Sequence, residues 1–486
     1  ALAAVLLAVT ASPAMAQDFE NVDPTGQTVT FWHQHTRERE TSLLEIIDEF
    51  NQTNEYGITV VAEYQGGYGD IFQKMLALLG TSDTPNIVVA YQNQAATYQL
   101  VDGMVDMRPL VDSAKWGLSA EDQADFFPGF WTSDLFPLFD DARLGIAPNR
   151  SMEMLYYNVD WLAELRSGGH IDFDGPPTTP EQFQAAACAA TANPFSAATS
   201  GSSIGYELSA DGSRFASFTF AFGGDIFDYE NNQYTYDSEG AIAAMEFLQG
   251  MFNEGCAALV TEAFGDQTNF GAGRTLFTVG SSSGLPFYQS AVDAGSGHAW
   301  SVAAIPHTTE DPVMNIYGAS VSIPAGHSAE ETLASWLFLK YYTGTEAQAK
   351  WAIASQYFPV RQSVAAELGD FFAELPAFGT AFELLPYGHS EPTVPGYDFV
   401  RDIVTAAMAD IANGADVAST LADAAFPDTG ASVSGTGPAW GWTTGACLVG
   451  ALRMAGRRDM CVTVSGGSGG GWTLIPSLGR RRAVAS

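Results

Sequence analysis

Gln27–Trp32 (QTVTFW), Ile58–Tyr64 (ITVVAEY) and Asn86–Tyr91 (NIVVAY) are three short apolar runs, and what separates them decides the fold. The first run alternates as a strand entering a core does, and Pro85 introduces the third. Between the first two, Thr36–Asn51 carries Leu43, Leu44, Ile46, Ile47 and Phe50, a spacing that draws an apolar stripe along a helix. Asp70–Leu79 reads as a second helix. Strands separated by helices predict a parallel sheet with right-handed crossovers.

Outward from this unit the pattern continues but loses its regularity. Short strand-like runs follow at Leu144–Pro148, Met154–Asn158, Leu276–Val279, Ser301–Ile305 and Ala319–Ile323. Helical spacing recurs over Thr179–Ala192, Ala241–Phe252, Ala329–Tyr342, Thr345–Ser355 and Asp398–Asn413. Strands that return late imply two α/β lobes between which the chain crosses more than once. The expected division is 27–145 with 275–322 for the first lobe and 146–274 with 323–428 for the second. Crossings are expected near Ile146–Pro148, Arg274–Thr278 and Ser320–Pro324. Such a layout leaves an interlobe cleft, a usual seat for a small ligand.

The two ends differ from this body. Ala1–Val9 is a short apolar run, and Ala14-Met15-Ala16 is an A-x-A cleavage pattern, so residues 1–16 read as a signal peptide truncated at its start. An exported product, soluble after cleavage, is expected. Residues 430–486 hold six Arg, no Lys and one acid, which sets them apart from a chain whose net charge is −36; residues 429–486 are expected to be an atypical, disordered tail. The acidic body repels phosphate backbones, so nucleic acid is not an expected partner.

Export permits disulfides. Cys188 and Cys256 lie in or just after helical runs and are candidates for a bridge; two buried thiols are the alternative. No spacing suggests a metal or a cofactor. His33 and His35 beside Trp32 lack a third ligand in view and read as packing and cleft residues.

Two segments match G-x-S-x-G, Gly201–Gly205 and Gly280–Gly284. A nucleophile elbow needs a helix at once and a His placed later in the chain. No later His has a distinguishing context, so a secreted serine hydrolase using Ser203 or Ser282 is the lesser reading and no catalytic set is expected. The paired acids Asp140-Asp141 would point to opposite faces of a strand and make a poor glycosidase pair. More informative are Tyr64, Tyr68, Tyr91, Tyr157 and Tyr357, at strand ends or in glycine-flanked loops, where rings can flank a ligand. Bases are scarce in the body of the chain, so Arg401 stands out as a possible anion fork.

Phe31-Trp32-His33, Tyr64-x-Gly-Gly-Tyr68, Thr84–Tyr91 and Leu155-Tyr-Tyr-Asn158 together resemble the family 1 extracellular solute-binding proteins of ABC importers, above all the glycerol-3-phosphate-binding members. Gly280–Leu285, Tyr317-Gly-Ala-Ser320 and Gln356–Val360 continue the resemblance in order, over roughly residues 27–425. It implies a type II periplasmic-binding-protein fold: two lobes, each a mixed sheet flanked by helices, closing on a ligand and presenting it to a membrane permease. No enzyme activity is implied, and a monomer in the periplasm is expected. Residue by residue, the ligand contacts fall on Tyr68, Ser151, Ser282 or Ser283, Gly318, Tyr357 and Arg401. Gln92 stands where the family has a glutamate for glycerol hydroxyls, and no Trp lies in the loop near Gly205–Phe218. Glycerol-3-phosphate or a glycerophosphodiester is therefore the expected ligand, with a neutral sugar or oligosaccharide as the alternative.

Overall fold

A computed structural model of the chain describes residues 19–199 and 201–425, with the strands Cys447–Leu448, Met460–Gly466 and Trp472–Leu478 beyond them. The expected signal peptide lies outside the described residues. Within the tail expected to be disordered, the three strands pair antiparallel, Met460–Gly466 between the other two.

Thr28–His33, Thr59–Tyr64 and Ile87–Ala90 form a parallel sheet, with Thr28 opposite Thr59 and Phe31 opposite Ile87. Ser320–Ser322 joins it antiparallel, beside Ile87–Ala90. Every residue of Ile87–Ala90 is buried, as a strand covered on both faces requires. The helix Arg37–Thr53 buries Leu43, Ile46, Ile47 and Phe50. Leu44, expected in that stripe, is 41 % exposed. Leu44 thus sits on the solvent edge of the stripe, one step of about 100° from buried Leu43.

The second sheet has seven strands, and Ser151–Asn158 is its axis. That strand pairs antiparallel with Thr275–Ser281 along one edge and with both Trp300–Ala303 and Met314–Tyr317 along the other. Ile204–Leu208 and Ala257–Leu259 continue the sheet on the Thr275–Ser281 side, and Gly388–Ser390 closes it on the other.

These pairings redraw the expected division. Residues 275–317 were expected in the first lobe, yet their strands belong to the second sheet; only Ser320–Ser322 returns. Arg274–Thr278 is consequently no crossing. Conversely, the helices Ala329–Tyr342 and Thr345–Ser355 pack on the first sheet, where Phe338 meets Phe31 and Phe50 with ring centroids 5.9 and 5.3 Å apart. An apolar run signals that a strand is buried, not which sheet buries it. The passages between sheets are at Ile146, bridged to Val321, at Gly318, and at Phe358, bridged to Arg150. Gly318 has φ +143°, a conformation costly for any residue with a Cβ, and there the chain leaves one sheet for the other.

Cys188 and Cys256 are joined as a disulfide with Cα atoms 4.6 Å apart, tying the helix Pro180–Ala192 to the entrance of Ala257–Leu259.

Candidate functional site: the junction between the sheets

Tyr68 opens the helix Tyr68–Leu78 after the first sheet's second strand, and Tyr91 follows its third. Their rings meet edge to face at 4.8 Å. Gln34, just past the first strand, donates to the Tyr68 hydroxyl at 3.0 Å. Burial raises both phenols, Tyr91 to about 12, with further contributions from neighbouring tyrosines that include Tyr357. Neutral hydroxyls therefore face the junction throughout the physiological range. Tyr357 carries the Arg39 guanidinium 4.2 Å above its ring and accepts a hydrogen bond from Arg39 Nη1 at 3.0 Å.

Gln92 lies at the floor. Its amide nitrogen donates to Asp134 Oδ1 at 3.2 Å, to the Ser320 hydroxyl at 3.0 Å and to the Gly318 carbonyl at 3.4 Å. Beneath it, buried Arg150 holds Asp134 at 3.2 Å and Ser320 at 2.8 Å. Gln92 is thus fastened to the passage strand and is only partly buried.

Ser151 begins the axial strand and is buried beside Gly318 through the pairing of Tyr317 with Ser151. Ser282 is buried too, and its hydroxyl accepts from the Met152 amide at 3.1 Å. Ser283 is half-buried; its hydroxyl lies 2.9 Å from that of Ser281, and its amide donates to the same oxygen. Neither serine is hydrogen-bonded to a histidine among the described residues. In the other G-x-S-x-G match, a Cβ on Gly205 would lie 2.0 Å from the Ala187 carbonyl oxygen, so that glycine lets a helix and a strand touch.

Arg401, on the helix Tyr397–Ala412, reaches the same region but is already engaged. Its Nη1 donates to Glu391, and its Nη2 donates to the Ser213 hydroxyl at 2.8 Å and lies 3.5 Å from Asp211. Glu391 also accepts from Ser213, Asn315 Nδ2 and the Tyr397 hydroxyl, at 2.6, 3.0 and 2.8 Å. Burial alone would raise this carboxyl; Arg401 and the three donors hold it below its ordinary value. A second buried acid, Glu153, lies 3.9 Å from Arg214 and accepts from the Tyr317 hydroxyl at 2.8 Å; burial pushes it up despite the arginine.

The junction therefore gathers Tyr68, Gln92, Ser151, Gly318 and Tyr357 around one seam, with Ser282 and Ser283 on the second sheet and Arg401 beyond Glu391. Sequence reasoning missed Glu391, a lone acid in a loop, and Arg39, which sits in an Arg-Glu-Arg-Glu run resembling a solvated helix start. Arg150, Arg214 and Asp134 were missed as well, because nothing in their local sequence reports burial.

The family model described as bacterial extracellular solute-binding protein matches residues 45–380. The chain belongs to that family. The sn-glycerol-3-phosphate-binding periplasmic protein UgpB of Rhizobium meliloti is 24 % identical over 434 residues, covering 83 % of this chain and 93 % of the relative. UgpB of Mycobacterium tuberculosis, solved with glycerophosphocholine, superposes with TM-score 0.64 at 20 % identity over 82 % of this chain and 96 % of that one. The sugar-binding protein MalE of Xanthomonas citri gives 0.69 at 18 % identity, over 82 % and 95 %. These are two-lobed binding proteins, as the resemblance implied. The chain is accordingly the solute-binding component of an ABC importer and not an enzyme. Among the described residues no helix is long and apolar enough to cross a membrane.

Proposed function

We propose that this chain captures glycerol-3-phosphate or a related glycerophosphodiester in the periplasm, as a soluble monomer, and delivers it to the permease of its importer. The observation that carries the reading is the grouping of Tyr68, Tyr91 and Tyr357 with Arg39 and Gln92 at the seam between the sheets. Phenol rings flank a short polyol while their hydroxyls hydrogen-bond to it, and a guanidinium offers paired donors to phosphate. The R. meliloti relative is named for sn-glycerol-3-phosphate, and the M. tuberculosis neighbour was solved with glycerophosphocholine, which supports the same class.

In this reading Tyr68, Gln92 and Tyr357 hold the solute from the first lobe, and Ser151, Ser282, Ser283 and Gly318 from the second, where Arg401 lies behind Glu391. The lobes close about the passages at Ile146, Gly318 and Phe358, as hinged binding proteins do. A second reading, a neutral sugar or oligosaccharide, is favoured by one observation: Arg401 already has Glu391 and Asp211 as partners.

A thermal-shift screen of the full chain with sn-glycerol-3-phosphate, glycerophosphocholine and maltose separates the two. Stabilisation by the phosphorylated compounds is expected. A shift with maltose alone favours the second reading, and no shift with any of them contradicts both.

A further inference from the structure

Among the described residues, Arg39, Arg150, Arg214 and Arg401 lie near the seam, and three of them are spoken for. Arg150 is paired with Asp134, Arg214 with Glu153, and Arg401 with Glu391 and Asp211. In each the carboxylate partner belongs to the protein, so the local charge is balanced before any solute arrives. Arg39 differs. Its Nε and Nη2 donate to the Ser355 carbonyl at 3.1 and 2.9 Å, and its Nη1 to the Tyr357 hydroxyl at 3.0 Å. All these acceptors are neutral, and among the described residues Arg39 enters no ion pair. A guanidinium has five N–H donors. Three are used, which leaves one N–H on each terminal nitrogen to donate to an anion.

We propose that Arg39, rather than Arg401, is the residue that reads the anionic group of the solute. The inference rests on the phosphorylated-solute reading above and specifies which side chain carries it. Arg39 is half-buried and fixed by the Ser355 carbonyl and the Tyr357 ring, so its orientation is set in advance. In this assignment the phosphate lies beside Tyr357, which Arg39 touches directly, and the polyol extends toward Gln92. Arg401 is then a structural cation that keeps Glu391 charged and buried.

The test is calorimetric titration of wild type, Arg39→Gln, Arg39→Lys and Arg401→Gln with sn-glycerol-3-phosphate, at 50 and 500 mM NaCl and with inorganic phosphate as competitor. The wild-type affinity is expected to fall with salt. Arg39→Gln is expected to weaken binding at least tenfold, to flatten the salt dependence and to abolish competition by phosphate. Arg39→Lys keeps the charge but not the fork, and is expected to fall between. Loss of packing alone would not change the salt slope. Full affinity and an unchanged slope in Arg39→Gln, or a slope flattened only in Arg401→Gln, overturns the assignment while leaving the solute reading intact. Failure of the wild type to bind the phosphorylated probe overturns both.

Discussion

At the scale of single residues, the decisive fact about Arg401 is its neighbour. A buried carboxylate that loses its cation is costly, on the order of 3–5 kcal/mol where a buried pair is broken. Arg401→Ala is therefore expected to lower unfolding free energy by roughly 3 kcal/mol at neutral pH, and Arg401→Ala with Glu391→Gln to recover much of that loss. Chemical denaturation of the two variants checks this; equal stabilities would show that the pair does not hold the site. His35 gives a second handle. Burial, with His33 and Arg39 adding to it, lowers its imidazole from the usual 6.5 to about 3, and its ring packs against Trp351. Because the folded value is depressed, the unfolded chain takes up the proton first. The contribution is complete above about pH 6.5 and is lost as pH falls toward 3, at a slope approaching about 1.4 kcal/mol per pH unit. Between pH 7 and 5 the wild type is expected to lose about 2 kcal/mol more than His35→Gln in urea unfolding. Parallel losses would place the proton elsewhere.

At the scale of elements, close backbone contact matters as much as side-chain packing. The helix Pro180–Ala192 lies so close to Ile204–Leu208 that Gly205→Ala would drive a Cβ to 2.0 Å from a carbonyl oxygen. Backbone must shift, and a loss of about 2–3 kcal/mol is expected, in the range of an overpacked core. An unchanged melting temperature would contradict the contact. The same region is stapled by the Cys188–Cys256 bridge, whose partners are 68 residues apart. Loop-closure entropy for that span is worth about 4 kcal/mol, so reduction should lower the melting temperature by several degrees, read by calorimetry with and without reductant. Elements of this kind were legible from the chain itself: alternating strands and the amphipathic helix over 36–51 have a period that burial imposes, and the helices over 329–355 show as long runs of helix-forming residues buried on several sides. Membership was not legible. Thr275–Ser281 and Ile87–Ala90 are both strands buried on both faces, and only the pairing of Thr275–Ser281 with Ser151–Asn158 reveals that they serve different sheets. The site was half legible for a related reason. Tyr68 and Tyr357 flank glycines or strand ends, where exposure can be anticipated. The hydrogen-bonded partners of the site come together from distant segments, as Ser213 and Glu391 do over a separation of 178 residues, and no local run reports them.

At the scale of the whole molecule, two sheets share three passages and one seam, and the residues proposed to hold the solute lie along that seam. Core packing runs across it: Met152, Met154 and Ile316 of the second sheet join the same apolar cluster as Phe31, Trp336 and Trp351. Motion between the lobes must then be confined to short hinges such as Gly318, whose φ of +143° makes Gly318→Ala strained in this conformation. The central claim is that a phosphorylated polyol is held between these lobes by the tyrosine and arginine cluster. Titration calorimetry of the full chain with sn-glycerol-3-phosphate and with glycerol, in wild type and in a Tyr68→Ala, Tyr357→Ala double variant, tests it most directly. The account predicts one-to-one binding of the phosphorylated compound, little heat with glycerol, and a loss of at least a hundredfold in the double variant. Equal binding of both compounds, or full affinity in the double variant, would contradict it.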